Sequence, residues 1–508
     1  MSSITLMRWF IAMLMLGGWT VVQAATDSEA KGKDEKKSAE SEKSPVPSPV
    51  TRLAFVMIDG KKISYKVTSG KLQLKQDDGK PRASIFNVTY ERTDVQNVAE
   101  RPVVFAFNGG PGSSSVWLHI GVLGPRRLDL PGDGTIPPTP PVRMIENASS
   151  ILDVCDLVFI DPVSTGYSRE DGDAKADEFH GLDGDIESIG DFIRRWTTEH
   201  DRWASPKFLL GESYGGIRAA GLAEHLQTRY GMSLNGVVLL SSLLDFSTLQ
   251  PAPGNDLSNL VYLPAYAGAA HYHGKIQGDR DAWIKSATDF AFTEYAAALL
   301  KGSALEASQR DAVAAKLASF TGIPAQTWIE QNLRLSPLLF RGLLLKDTGK
   351  VLGRFDGRVA WDSSDRSDPY PDYDPSYSLT QGAFSTAMMD YLGRDLGWKE
   401  DQPYEILTSK VQPWRWGSDN EVVNLSGKLA TAMRDNPKLR VLVMGGHTDL
   451  ATPPEGVAYS FRHLLGLSDA LRKNVEYAYY DGGHMFYLNP PDLKKTRSDL
   501  LQFIQGHP

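Results

Sequence analysis

The chain has 508 residues, 54 Lys and Arg against 62 Asp and Glu, and a net charge of −8. Its length allows one large core or two smaller ones, and scattered basic residues on an acidic chain exclude the footprint of a nucleic-acid binder. Cys155 is its one cysteine, so no disulfide framework is possible and core packing alone must hold the fold.

At the N-terminus, MSSITLMR carries one Arg, WFIAMLMLGGWTVV gives a short apolar core, and VQA ends in small residues suited to cleavage after Ala24. Residues 1–24 therefore read as a signal peptide. The apolar run falls short of the ~20 residues of a membrane span, so export to the periplasm or medium is expected, with no stable membrane insertion after cleavage. Residues 25–50, including TDSEAKGKDEKKSAESEKSPVPSPV, are charged and close on prolines. They cannot bury enough apolar surface to offset the entropy of ordering, and read as a disordered linker.

From 51 to about 98, KKISYKV, KLQLKQ and ASIFNVTYER alternate, with DDGKP as a turn, which predicts antiparallel strands entering a sheet. RPVVFAFNGGPGSSS then runs a buried strand into glycines. ILDVCDLVFIDP is another buried strand, in which Cys155 reads as a structural thiol. Helical spacing follows in DGDIESIGDFIRRWTTEH. SPKFLLGESYGG is a strand ending in a sharp turn, IRAAGLAEHLQTRYG a helix with a Gly stop, and LNGVVLLSS a strand. This alternation predicts an α/β fold, a mostly parallel sheet with helices on both faces, its first part over 51–244.

The rhythm stops at 245. Residues 245–410 are rich in Tyr, Pro and short helical stretches, and are expected to form a large inserted cap that shapes side-chain preference. Tyr262, Tyr266 and Tyr272 are its aromatic candidates for that role, with packing inside the cap the reading that outweighs it. The stretch DRSDPYPDYD at 365–374 has no ligand spacing and reads as a solvated loop, so no metal and no cofactor are expected. The sheet pattern resumes over 411–508 with LATAMRDNPKLRVLVMGG, NVEYAYYDGGH and a final helix in DLKKTRSDLLQFIQG.

Gly211-Glu212-Ser213-Tyr214-Gly215 fits G-x-S-x-G between strand and helix, where a strained turn lifts a serine hydroxyl above the sheet. A serine becomes nucleophilic when a base takes its proton and a carboxylate orients that base. On such a sheet the order is serine, acid, histidine. His484, in a glycine-flanked loop after a strand near the C-terminus, suits the base. His463 and His507 lie in or near helical segments and read as surface residues. Asp449, just past the strand RVLVMGG, suits the acid, whereas Asp481 is too close to His484 in the chain for an independent orienting role. Donors for a developing oxyanion are expected from the Tyr214 amide and from Gly109 or Gly110 in FNGGPGSSS.

Together FNGGPGSSS at 107–115, LVFIDPVSTGYS at 157–168, GESYGG, HTDLATPPEG and GGHM at 482–485 resemble, in order, five segments of the serine carboxypeptidase family. The resemblance implies an α/β-hydrolase fold, a triad of Ser213, Asp449 and His484, and oxyanion amides at Gly110 and Tyr214. It also implies that Asn108, Gly109 and Glu212 bind the C-terminal carboxylate of a peptide. Two facing carboxylates repel unless one holds a proton, so Glu212 must be protonated to do this, favouring acidic pH.

The chain departs from the family's pattern at three places. HIGVLGP has Val122 where the family carries an acidic residue, His447 stands where it commonly has Asp, and Ser113 replaces a loop cysteine. Arg126 and Arg127, just after LGP, are candidates to supply charge for a carboxylate instead. The expected function is an exported serine carboxypeptidase that takes peptide or protein C-termini and forms an acyl-enzyme on Ser213. An esterase or acyltransferase with the same triad is the alternative motivated by Val122, and a non-catalytic envelope protein is the third reading.

Overall fold

Antiparallel strands open the fold. In the computed structural model, which describes residues 47–417 and 421–506, β1 (Val50–Ile58), β2 (Lys61–Lys75) and β3 (Pro81–Arg92) form a meander. The signal segment, almost all of the linker and His507 lie outside the described residues. Asp59 and Gly60 both have positive φ, 48° and 74°, the geometry of a two-residue hairpin turn that Asp-Gly favours. The alternating runs KKISYKV and KLQLKQ are one strand of 15 residues, paired with β1 from Lys61 to Ser69 and with β3 from Tyr65 to Lys75.

The remaining sheet is parallel. β4 (Val103–Phe107), β5 (Asp156–Ile160), β6 (Lys207–Glu212), β7 (Gly236–Leu240), β8 (Arg440–Gly446) and β9 (Val475–Tyr480) follow in chain order. Across the sheet they run β1-β2-β3-β5-β4-β6-β7-β8-β9, with Arg169–Glu170 on the flank of β3. β5 meets β3 antiparallel, and each pair from β5 to β9 is parallel. Every residue of β4, β5, β6 and β7 is buried, which is why their sequences are continuous apolar runs rather than alternating ones.

Helices α1 (Leu182–Glu199) and α2 (Tyr214–Tyr230) flank β6, and α2 stops at Gly231, whose φ of 64° is the left-handed cap. At the strands' opposite ends Arg101 and Arg202 both pair with buried Asp156, and Arg101 also donates to the carbonyls of Leu152 and Cys155. Cys155 is fully buried, and burial pushes its thiol far above the ordinary value.

Between β7 and β8 the chain makes a long helical excursion with two distinct destinations. Its first portion, around α3 (Leu257–Tyr272), α4 (Arg280–Phe290) and α5 (Ala307–Thr321), has a core of its own that includes Tyr262, Tyr266, Phe290 and Phe340. Its later portion, from α6 (Pro375–Asp390), sends Phe384, Met388, Leu392 and Trp398 into the core of the main sheet. Tyr272 differs from its two neighbours: it is 46% exposed and donates to Asp133. Asp374, at the end of the acidic stretch, caps α6. No helix among the described residues is long and apolar enough to cross a membrane.

Candidate active site

Ser213 stands between β6 and α2 with φ 61° and ψ −129°, a conformation that costs a non-glycine residue about 1–3 kcal/mol. The surroundings hold it there. Its amide donates to Leu240 O at 3.0 Å, and its carbonyl accepts from Gly216 N at 2.9 Å and Ser242 Oγ at 3.0 Å. A Cβ on Gly211 would overlap the Gly215 carbonyl, so the turn closes only with glycine at that position. Within GESYGG, Ser213 alone is not buried.

His484 and Asp449 meet each other in the loops after β9 and β8. His484 Nδ1 lies 2.9 Å from Asp449 Oδ2, with 3% and 0% of the two residues exposed. Asp449 also accepts from the amides of Ala451 and Thr452, each at 2.8 Å. Thr452 Oγ1 sits 2.9 Å from His484 Nδ1, 2.9 Å from Asp449 Oδ2 and 2.7 Å from the Ser241 carbonyl. A carboxylate oxygen can only accept, so Nδ1 carries a proton. The same Thr452 ties the pair to the elbow: it holds Ser241, and the adjacent Ser242 holds Ser213. The His484 ring stacks on Phe355, 5.1 Å between centroids. Asp481 instead pairs with Arg280 at 2.6 Å.

The glycine-rich loop after β4 closes against the elbow. A Cβ on Gly109 would overlap the Tyr214 amide nitrogen and crowd that of Gly215, so the loop backbone passes directly over the start of α2. The first amides of a helix have no intrahelical acceptor, and Tyr214 is the first residue of α2. The loop is propped from behind: Ser114 N donates to Ile406 O and Thr408 N to Gly112 O. Asn108 is held at both ends, its Oδ1 accepting from Leu118 N at 3.1 Å and its carbonyl from Arg218 at 2.6 Å. Gly110 has φ 102°.

Glu212 is buried within this group. Burial pushes its carboxyl up to about 7, opposed by His484 and by hydrogen bonds from Tyr487 and Asn108, with Asp449 adding a small push upward. Tyr487 Oη donates to Glu212 Oε2 at 2.9 Å. Three contributors escape sequence reasoning. Thr452 and Tyr487 read as ordinary loop residues. Asp185 on α1 and Arg218 on α2, paired at 2.8 Å, lie inside helices whose periodicity marks both as merely buried; the TPP and MFYL contexts carry no signal for a distant partner.

Other expected positions fall elsewhere. Arg126 donates to Met144 O and Arg127 to Leu128 O, both in a hairpin of Arg126–Leu128 with Met144–Glu146. Val122 is buried, its carbonyl accepting from Asn147 at 2.7 Å. Burial, with Arg280 beside it, pushes His447 down to about 4, and its ring stacks on Tyr479. Among the described residues no group of three His, Cys, Asp or Glu is arranged to hold a metal ion.

A family model described as Serine carboxypeptidase matches residues 59–483. Serine carboxypeptidase-like 45 of Arabidopsis thaliana is 26% identical over 196 residues, 37% of this chain and 38% of that protein. Pheromone-processing carboxypeptidase KEX1 of Saccharomyces cerevisiae is 28% identical over 160 residues, 29% of this chain and 20% of that protein. The alignments thus span well under half the length of these curated relatives. The crystal structure of the prohormone-processing carboxypeptidase KEX1 from Saccharomyces cerevisiae superposes with a TM-score of 0.54 at 17% identity, covering 87% of this chain and 91% of that one. The fold is that of the α/β-hydrolases.

Proposed function

Since the chain belongs to the serine carboxypeptidase family, we propose that it is an exported enzyme that removes residues from peptide C-termini through an acyl-enzyme on Ser213. In this reading Ser213 Oγ attacks the carbonyl of the last peptide bond while His484 Nε2 takes its proton. Asp449 holds the imidazole in the Nδ1–H form and stabilises its positive charge. The amides of Gly110 and Tyr214 receive the developing oxyanion. The proton on His484 then passes to the departing amine, and water attacks the ester by the same route, regenerating the serine. Residues 1–24 would direct export and 25–50 would act as linker. Residues 51–244 and 411–508 would form the hydrolase core, with 245–410 as its cap.

The observation that carries the exopeptidase reading is the Glu212 carboxyl, buried one residue before the elbow serine and pushed up to about 7. Below that pH it is a neutral acid, able to donate to a substrate carboxylate beside the Asn108 side chain and the Gly109 backbone. A carboxylate grip of this kind selects a free chain end. A blocked dipeptide and its C-terminally amidated twin test this directly: the free acid should turn over at least tenfold faster in kcat/KM at pH 5. Equal rates would favour the esterase or acyltransferase reading, for which the apolar Val122 is the motive.

A further inference from the structure

Tyr487 and Glu212 lie 275 residues apart in the chain and meet where water does not reach. The Tyr487 phenol is 1% exposed and Glu212 is 3% exposed, and Tyr487 Oη lies 2.9 Å from Glu212 Oε2. The ring approaches its site past Gly121, where a Cβ would come within 2.8 Å of Tyr487 Cε2. The segment 119–125 therefore makes room for the phenol and brings no carboxyl group of its own. Its one titratable side chain, His119, is engaged with Tyr90 at 2.7 Å.

We infer that Tyr487 is a positioning residue for Glu212, holding one carboxyl oxygen as a permanent donor so that the other faces a substrate's terminal carboxylate. A carboxylic acid in the same place would share a proton with Glu212 and could either give or take. A phenol buried against a carboxyl group keeps its proton throughout the working range, because burial and the nearby Glu212 charge both push it far above its ordinary value. Tyr487 therefore only donates. That fixes Oε2 as acceptor and leaves Oε1 as the oxygen that carries the exchangeable proton. It also favours the ionised form of Glu212, and so sets an upper pH for the grip. The other groups facing Glu212 are Asn108 from the loop after β4, Asp449 from the loop after β8, and His484 from the loop after β9. Asn108 does not titrate. Tyr487, which shares the His484 loop, bonds Glu212 directly.

The inference rests on the carboxylate-grip reading for its consequence in catalysis, but the Tyr487–Glu212 linkage is testable without substrate. Infrared difference spectra of the wild type against Glu212→Gln isolate the protonated-carboxyl band of Glu212, and its midpoint is followed with pH. In Tyr487→Phe, which removes one oxygen and keeps the ring, the midpoint should move upward by about one pH unit, because the ionised form loses a donor. The alkaline rise of KM for a free-acid dipeptide should move with it, and KM at pH 5 should rise several-fold while kcat changes less. In a Glu212→Gln background, Tyr487→Phe should leave the pH profile where it was. An unmoved infrared midpoint would overturn the inference whatever the substrate. A shifted midpoint in an enzyme that treats free acid and amide alike would sustain the linkage and overturn the grip reading instead.

Discussion

Asp185 on α1 and Arg218 on α2 face each other at 2.8 Å, their side chains 2% and 1% exposed. Two groups near the elbow are anchored on this pair: Tyr214 Oη donates to Asp185 at 3.1 Å, and Arg218 donates to the Asn108 carbonyl at 2.6 Å. Replacing Arg218 with Met leaves a buried carboxylate without its counter-charge, which costs about 3–5 kcal/mol. Chemical denaturation should register that loss, and kcat/KM measured on the remaining folded protein should fall as Asn108 loosens. Full activity per folded molecule would show that the pair stabilises the fold only.

The Thr452 hydroxyl touches the imidazole, the carboxylate and the backbone that leads to Ser213. Thr452→Val keeps the shape and removes the oxygen. A lost hydrogen bond to a charged group is worth about 1.5–3 kcal/mol, so kcat should drop at least tenfold with KM little altered. Thr452→Ser should restore most of it. A KM effect in place of a kcat effect would show that Thr452 does not support the proposed triad.

Ser213→Ala should abolish turnover and phosphonylation by a fluorophosphonate while the melting temperature stays within a few degrees. The side chain makes no capping bond to α2, so little stability depends on the hydroxyl itself. Residual steady-state activity above a contaminant level would reject Ser213 as nucleophile.

Glu212→Gln should flatten the pH dependence of KM for free-acid substrates, since an amide donates at every pH whereas the native carboxyl stops donating above about 7. Stability carries the same signature. Below the ordinary Glu value of 4.5 both folded and unfolded states hold the proton. As pH rises toward 7 the unfolded state ionises first, so the wild type loses stability relative to the variant. The total is about 3 kcal/mol, at about 1.4 kcal/mol per pH unit. Urea unfolding of both proteins at pH 4.5, 6 and 7.5 measures it, and parallel stability curves would show that Glu212 is ionised throughout.

Local chemistry explains what could be read from the sequence. The apolar runs VVFAF, DLVFI and GVVLL announce buried parallel strands because no face of theirs meets water, and GESYGG announces its turn because only glycine lets Gly211 pass the Gly215 carbonyl. The continuity of β2 was not legible, because its alternation changes phase at Ser69 and Gly70, both buried. Nor was the split of the excursion, since Phe384 and Met388 look like any apolar helix residues until the sheet core reaches them. Tyr487 and Thr452 carry no signal for a related reason: a polar side chain whose partner lies 275 or 211 residues away leaves no periodic trace in its own neighbourhood.

The loop after β4 leans on Ile406 and Thr408, and the His484 amide donates to Phe355 O. Both supports belong to the long excursion, although neither the serine nor its partners do. Exchanging that segment for a relative's, in the hope of altering substrate preference, would therefore disturb the proposed reacting groups at the same time. Under the proposed function, selectivity and turnover should change together whenever the excursion is redesigned, unless the few backbone contacts at 355, 406 and 408 are carried across intact.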